Sequence, residues 1–367
     1  MAENEKNYVK YSDNIEVKQE NEDEEIDQTV DSMARVNKIM FDRYRHGIRD
    51  AHAKSHGAFK AEMQIYDNLP EHLAQGVFKE AKTYPIIIRL STAPGALLSD
   101  RTSTFRGFAI KIVGVKGKKF LSEQADALTQ DILMVNFPVI PTGTVKDYLK
   151  QQLAFEKQAN TPEEFQQLVS RVVLAGHEAL KTVGINTDPN ALGNGLPVTH
   201  ILGDTFFSMA ALRYGDYIAK IRVVPLSENL QPLRDKKVEI EHESTLRDLV
   251  SDFFKNQSAE YELQAQLCTN LETMPIEDGS VKWPEEESPY LPIAKITIAA
   301  QDTYSPKRRV YVDDILSFNP FHCIPEHRPL GNIMRVRRKA YDTSSRFRHE
   351  MNAQPRLEPK SINDLPD

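Results

Sequence analysis

Short β-rich segments recur along this chain, and they constrain its fold more than any other feature. Runs of alternating or β-branched residues occupy 59–67, 86–92, 107–113, 130–136, 205–225, 261–270 and 293–299. Turn-forming residues separate these runs, and Tyr214-Gly215-Asp216 is typical of a hairpin turn. Helical patterns are inserted between them without a regular alternation of strand and helix. The sequence therefore predicts an α+β fold, an antiparallel sheet or barrel with attached helices.

Composition places the chain among ordinary globular proteins and excludes several classes of partner. Of its 367 residues, 40% are hydrophobic and 27% are charged, and no apolar run approaches the ~20 residues of a membrane helix. The net charge of −7 argues against nucleic acid as the main partner. The opening residues lack the apolar core of a signal peptide, so we expect a cytoplasmic location. Cys268 and Cys323 are then expected to be free thiols.

The charge pattern suggests three parts. Residues 1–30 are expected to form a flexible acidic arm, because the first 28 residues contain ten acidic side chains and three lysines. Residues 31–350 are expected to form the main domain, and residues 351–367 a tail. Helical patterns within the main domain cover 31–48, 144–158 and 162–183, and an Asn/Gly/Pro-rich loop follows at 186–197.

The segment from Met334 to His349 has helical spacing and contains one tyrosine among five arginines and a lysine. Arg337, Tyr341 and Arg348 project along one stripe of this helix. A guanidinium one turn from a phenol favours the phenolate, which is a hard, anionic donor suited to ferric iron. The alternative interpretation is a solvated basic helix, or a module that binds a specific anionic partner.

The pattern Arg337-x-x-x-Tyr341-x-x-x-x-Arg346-x-Arg348 resembles the proximal haem segment of the catalase family. The resemblance implies that Tyr341 is the axial ligand of a haem b iron and that Arg337 bonds its oxygen. It also implies that Arg348 holds a haem propionate. Further family motifs follow in the same order over residues 40–350, so a catalase-like antiparallel β-barrel is expected.

The pattern Arg49-x-x-His52-Ala-Lys resembles the distal haem segment of the same family. A neutral imidazole near the iron could move a proton between the two oxygens of a peroxide. The resemblance implies that Ser91 bonds the second nitrogen of His52 and fixes its tautomer. A helical metal-binding pair of His52 and His56 is the alternative, but neither a neighbouring Glu nor a third ligand supports it.

Two further positions complete the expected site. Arg89 shares a strand face with Ser91, and the resemblance implies that it joins Arg49 and Arg348 in holding the propionates. Asn136-Phe-Pro138 resembles the distal Asn-x-Pro of the family, which implies that Asn136 donates a hydrogen bond to bound peroxide.

The chain departs from the family pattern at several points. Ala51 stands where most catalases have Val, and Thr104 stands where the access channel has Asp. Val139-Ile140-Pro141 replaces an aromatic pair, and only 26 residues follow Tyr341, so we do not expect the helical domain that usually follows the proximal helix. The chain is therefore similar to a small, catalase-related branch.

The function that the resemblance implies is haem-dependent peroxide processing, by dismutation of hydrogen peroxide, by a peroxidase reaction, or by both. One alternative is an enzyme of the catalase fold that transforms fatty-acid hydroperoxides. Such enzymes carry Thr beside the distal His, so Ala51 argues against it. A haem-binding protein without turnover is another alternative. We expect a small homo-oligomer with hydrogen peroxide or an organic hydroperoxide as substrate.

Overall fold

The β-rich segments form the central sheet of the protein. The computed structural model describes residues 7–161 and 198–367. Nine strands lie in these residues: β1 Ser55–Ile65, β2 Thr83–Thr92, β3 Arg106–Val113, β4 Thr129–Val135, β5 Phe206–Phe207, β6 Leu212–Tyr214, β7 Tyr217–Pro225, β8 Ala259–Leu267 and β9 Leu291–Ile298. The helix expected over 162–183 and the loop expected over 186–197 lie outside the described residues.

The strands form one antiparallel sheet that closes into a barrel. Its order is β5-β4-β3-β2-β1-β9-β8-β7, and β5 also pairs with β7, so the first and last strands are joined. Phe207 of β5 pairs with Val135 of β4 and with Arg222 of β7. β6 pairs with the other half of β7 through the expected two-residue turn, where Gly215 has a φ of 63°. The prediction of an antiparallel barrel is confirmed.

Five helices lie in the described residues: α1 Glu22–Tyr44, α2 Val145–Gln158, α3 Thr245–Phe254, α4 Pro306–Val310 and α5 Asn332–Met351. A single π-helical turn, Tyr311–Ile315, follows α4 directly. The helix α5 contains the whole basic segment that the sequence predicted to be helical. No helix among the described residues is long and apolar enough to cross a membrane.

The first helix begins at Glu22, not near Asp31 as its apolar spacing suggested. Glu22 is buried because its carboxylate pairs with the Arg335 guanidinium of α5. The chain before it contacts the barrel, since the Val9 amide donates to the Cys268 carbonyl at 2.8 Å. Part of the predicted acidic arm is therefore structured through specific polar contacts, which a count of charges does not detect.

Two clusters of buried apolar side chains flank the site. The barrel interior is filled by side chains from facing strands, and α3 covers one end, where the Phe254 ring lies 4.9 Å from the Phe59 ring. A second cluster joins α1, α2 and α5 through Ile26, Val145 and Val336. The helix α5 is therefore packed on one side by helices and faces the barrel wall with the other.

Candidate functional site

A cavity that is partly open to solvent lies between the barrel wall and α5. Its walls come from the segment before β1, from β2, β3 and β4, from the segment after the π-helical turn, and from α5. Its lining includes the polar residues Arg49, Asp50, His52, Arg89, Ser91, Ser317, Arg337, Tyr341, Ser344, Ser345 and Arg348 and the apolar residues Phe108, Ala109, Leu133, Val135 and Phe318.

Tyr341 and Arg337 form one side of the cavity. They lie one turn apart on α5, and Nη2 of Arg337 donates to the Tyr341 hydroxyl oxygen at 2.7 Å. The guanidinium carbon lies 5.1 Å from the centre of the phenol ring. The structure brings this pair together as the helical spacing predicted. The contact places a positive charge against the one oxygen of Tyr341 that could bind a metal.

His52 faces the same cavity from the segment before β1. Its Nδ1 lies 3.1 Å from Ser91 Oγ, and its Nε2 has no hydrogen-bond partner among the described residues. The His52 backbone has a φ of 57°, which is uncommon for a residue with a side chain. The loop before β3 holds this conformation, because the His52 amide donates to the Ala93 carbonyl at 2.7 Å. The backbone strain is therefore balanced by contacts that aim the imidazole into the cavity.

The imidazole of His52 is neutral over a wide pH range. Burial, followed by the charges of Arg89, Arg337 and Arg49, lowers the pKa of His52 to about 3. A neutral ring with Nδ1 bonded to Ser91 has only Nε2 available to a substrate. That nitrogen can accept a proton and later return it.

Three arginines, Arg49, Arg89 and Arg348, form a buried group at one end of the cavity, called the arginine cluster below. They converge on the π-helical turn and the residues after it. Arg49 Nη2 donates to the Val312 carbonyl at 2.6 Å and to the Leu316 carbonyl at 2.7 Å. This short segment holds Arg49 and Arg348, whereas Arg89 donates to the carbonyls of His52 at 2.8 Å and Ala53 at 3.2 Å.

The positive charges of the arginine cluster repel one another. Burial, then the charges of Arg89 and Arg348, holds the pKa of Arg49 well below its ordinary value. Burial, then Arg89, lowers the pKa of Arg348 to about 10. The Nε of Arg89 is buried and has no hydrogen-bond partner among the described residues. Buried cations with mutual repulsion and a spare donor favour an anionic ligand that carries carboxylates.

Asn136 does not line the cavity, although the sequence suggested a role for it on the distal side. Its Oδ1 accepts from the Arg106 amide at 2.7 Å, and its Nδ2 donates to Asp204 at 3.2 Å. Arg106 also pairs with Asp204 at 2.6 Å. Both ends of the amide are therefore bonded within this network, which a local Asn-x-Pro pattern cannot reveal.

His56 is not part of a metal site with His52. It lies in β1, at a break in the pairing register with β2, so the two residues do not share a helix. Its imidazole is fully buried, and neither ring nitrogen has a hydrogen-bond partner in the described part of the chain. Among the described residues there is no group of three or more His, Cys, Asp or Glu side chains that could hold a metal.

Sequence reasoning missed two acidic residues at the site. Asp50 lines the cavity two residues before His52, and burial raises the pKa of its carboxyl. Asp313 lies in the π-helical turn, with Oδ1 3.3 Å from Arg89 Nη2. The position of Asp50 beside the distal pattern could have drawn attention to it. Asp313 had no comparable signal, because nothing local connects it to the arginines.

Comparisons with known proteins agree with this architecture. The family model for catalase matches residues 5–357. No curated protein matches the chain by sequence. Similar solved structures include a fungal catalase at 17% identity and a TM-score of 0.56, which covers 89% of this chain and 67% of the fungal one.

Two other solved structures give the same result. Catalase A from Saccharomyces cerevisiae has 16% identity and a TM-score of 0.57, covering 89% of this chain and 68% of the yeast protein. A bacterial catalase has 14% identity and a TM-score of 0.55, covering 89% of this chain and 60% of its own. Identities this low establish the shared fold only. Because the family match spans residues 5–357 and the barrel has the same fold, this chain belongs to the catalase family.

Proposed function

We propose that this protein is a haem-dependent oxidoreductase that processes hydrogen peroxide. The observation that carries the proposal is that two hydrogen-bonded pairs of side chains line one cavity. Tyr341, bonded by Arg337, offers an oxygen ligand from α5, and neutral His52, bonded by Ser91, lines the same cavity from the segment before β1. Membership of the catalase family supports the same function.

The residues of the cavity fit haem b. The apolar walls from Phe108, Leu133 and Phe318 suit a flat, largely apolar macrocycle. The arginine cluster, with the free Nε of Arg89, suits two propionates. Tyr341 would hold the iron, and the bound haem would supply the electron transfer that cleaves the peroxide bond.

The chain's own residues have separate roles in this proposal. Arg337 donates to the Tyr341 oxygen and orients it towards the cavity. Nε2 of His52 accepts a proton from one oxygen of hydrogen peroxide and returns it to the other, which leaves as water. Ser91 holds Nδ1 of His52 and so keeps Nε2 directed at the substrate. Asn136 is bonded elsewhere, so we propose only an indirect contribution from it.

The test uses protein loaded with haem b and follows both oxygen release and peroxide loss. His52→Asn is the informative variant, because Asn tolerates the left-handed backbone at this position but cannot transfer the proton. Turnover should fall by the roughly 10²–10⁴-fold expected for a lost acid–base group, with haem content unchanged. Near-normal turnover in a haem-replete His52→Asn protein would contradict the proposed mechanism.

A peroxidase reaction with organic donors is the second candidate. Thr104, which replaces the carboxylate expected in the access channel, is buried. A neutral side chain cannot supply the fixed negative field of a carboxylate in a narrow channel. We expect Thr104→Asp to increase oxygen release relative to donor oxidation. If the ratio of oxygen release to donor oxidation is unchanged, Thr104 does not influence which of the two reactions the protein favours.

The family assignment also supports a homo-oligomer, which sedimentation of the haem-loaded protein would test. The cytoplasmic location and the division of the chain at residues 30 and 350 stay predictions from the sequence.

A further inference from the structure

Asp313 places a protein carboxylate inside the arginine cluster. We propose that Asp313 competes with the carboxylates of haem for these arginines and so sets how tightly the cofactor is held. The inference rests on the proposed haem function and adds a residue to it. It follows from the contacts of Asp313, from the charge balance of the cluster and from the way the arginines are otherwise held.

The carboxylate of Asp313 is loosely held. Its Oδ1 lies 3.3 Å from Arg89 Nη2 and 3.5 Å from Arg49 Nη1. Strong ion pairs between a guanidinium and a carboxylate have distances of about 2.7–2.9 Å. The Asp313 side chain is also 26% exposed, whereas that of Arg89 is 3% exposed. A stronger carboxylate ligand could therefore take these donors while Asp313 turns towards solvent.

Charge balance in the arginine cluster favours a ligand that carries carboxylates. The cluster brings together three guanidiniums, and Asp313 is the carboxylate within ion-pair distance of them among the described residues. Its neighbour Asp314 turns away, with Oδ1 2.7 Å from His46 Nε2. The charge of Asp314 still acts on Arg49 and Arg348, but the three guanidiniums outnumber the two carboxylates, and this excess of positive charge favours an anionic ligand. The charge of Asp313 acts to raise the pKa of each of the three arginines against the effect of burial.

The arginine cluster does not depend on this carboxylate for its position. Arg348 Nη1 donates to the Asp314 carbonyl at 2.8 Å, and its Nη2 donates to Ser317 Oγ at 2.9 Å. Arg49 is bonded to the carbonyls of Val312 and Leu316. The backbone after α4 therefore holds these guanidiniums in place. Removing only the charge of Asp313 should free the donors without moving them.

The experiment measures the rate at which the haem-loaded protein loses haem to an excess of a haem-scavenging globin. Asp313→Asn removes the competing charge and keeps the size of the side chain, so haem loss should slow by roughly tenfold, equivalent to about 1.4 kcal/mol. Asp313→Glu keeps the charge and should not slow the loss. Asp314→Asn is the matched control, because that carboxylate is bonded to His46 and acts on Arg49 and Arg348 only through its charge, so its effect on haem loss should be smaller than that of Asp313→Asn.

A second measurement identifies the propionates as the competitors. Haem dimethyl ester has the same iron and ring but no carboxylates, so its loss rate should be the same in wild type and Asp313→Asn. If Asp313→Asn releases haem as fast as the wild type, or faster, the inference is overturned. An effect of equal size on the ester also overturns it. If the wild type binds haem without Tyr341 ligation, or not at all, the proposed function fails, which is a separate result.

Discussion

Gly107→Ala tests the position of the proposed proton acceptor without touching its chemistry. The backbone of Gly107 in β3 lies directly beside the imidazole. A Cβ at this position would fall 2.5 Å from His52 Nδ1 and 2.8 Å from Ser91 Oγ. Non-bonded heavy atoms prefer separations of about 3.5–4.0 Å, so the ring must move by about 1 Å. The added methyl therefore acts on the contact between His52 and Ser91.

The size of the effect follows from this displacement. A misplacement of about 1 Å in a catalytic group lowers the rate by roughly 10²-fold. Gly107 lies in β3 and lacks the positive φ that only glycine adopts freely, so Ala brings no backbone strain of its own. The atoms nearest to the added Cβ belong to His52 and Ser91, not to Tyr341 or the arginine cluster, so haem binding should be retained. We expect a haem-replete protein with roughly a hundredth of the wild-type turnover.

The assay compares initial rates of peroxide loss per bound haem in wild type, Gly107→Ala and Gly57→Ala. Gly57 is a strand glycine of β1 whose added Cβ would meet Val250 at 3.0 Å instead of the imidazole. Its replacement should lower the thermal midpoint without a specific loss of turnover per haem. Equal turnover in Gly107→Ala and wild type, both haem-replete, would refute the role assigned to His52.

Three other outcomes are expected. Tyr341→Phe removes the phenol oxygen, so haem should be lost or its absorption spectrum should change, and an unaltered spectrum would exclude Tyr341 as the ligand. Burial lowers the pKa of His327 to about 3. Below about pH 6.5 this imidazole is therefore protonated in the unfolded chain but not in the folded one, so the free energy of unfolding falls as the pH is lowered. His327→Gln should flatten this dependence by up to about 1.4 kcal/mol per pH unit, and an equal slope would refute the assignment. Asp131→Ala leaves the fully buried Lys111 with Glu358 as its remaining carboxylate. Urea unfolding should show that the free energy of unfolding falls by roughly 3–5 kcal/mol. A fall of less than about 1 kcal/mol would contradict a buried ion pair between Asp131 and Lys111.

The sequence predicted those parts of the protein that depend on local spacing. Arg337 and Tyr341 are one helical turn apart, so any regular helix over Met334–His349 brings them together. The strand segments were recognisable because β-branched residues and turns are local signals. The contact of His52 with Ser91 spans 39 residues and was inferred from the family resemblance, because no local rule connects two such positions.

The remaining features depend on tertiary structure that no local pattern encodes. Closure of the barrel rests on β5, which has only two residues and is too short to show any periodicity. The amide of Asn136 donates to Asp204, which is 68 residues further along the chain. Asp313 reaches the arginine cluster because a π-helical turn redirects the chain after α4. In each case a distant partner decides the orientation of the side chain.

The arginine cluster links cofactor binding to the basicity of His52. The charges of Arg89 and Arg49 contribute to the low pKa of His52, so propionates that neutralise them would remove part of that effect. Burial is the larger cause and remains when a macrocycle fills the cavity. Propionates bound to Arg89 and Arg49 would therefore offset one electrostatic cause of the low pKa of His52, while burial would keep the ring neutral and able to accept a proton.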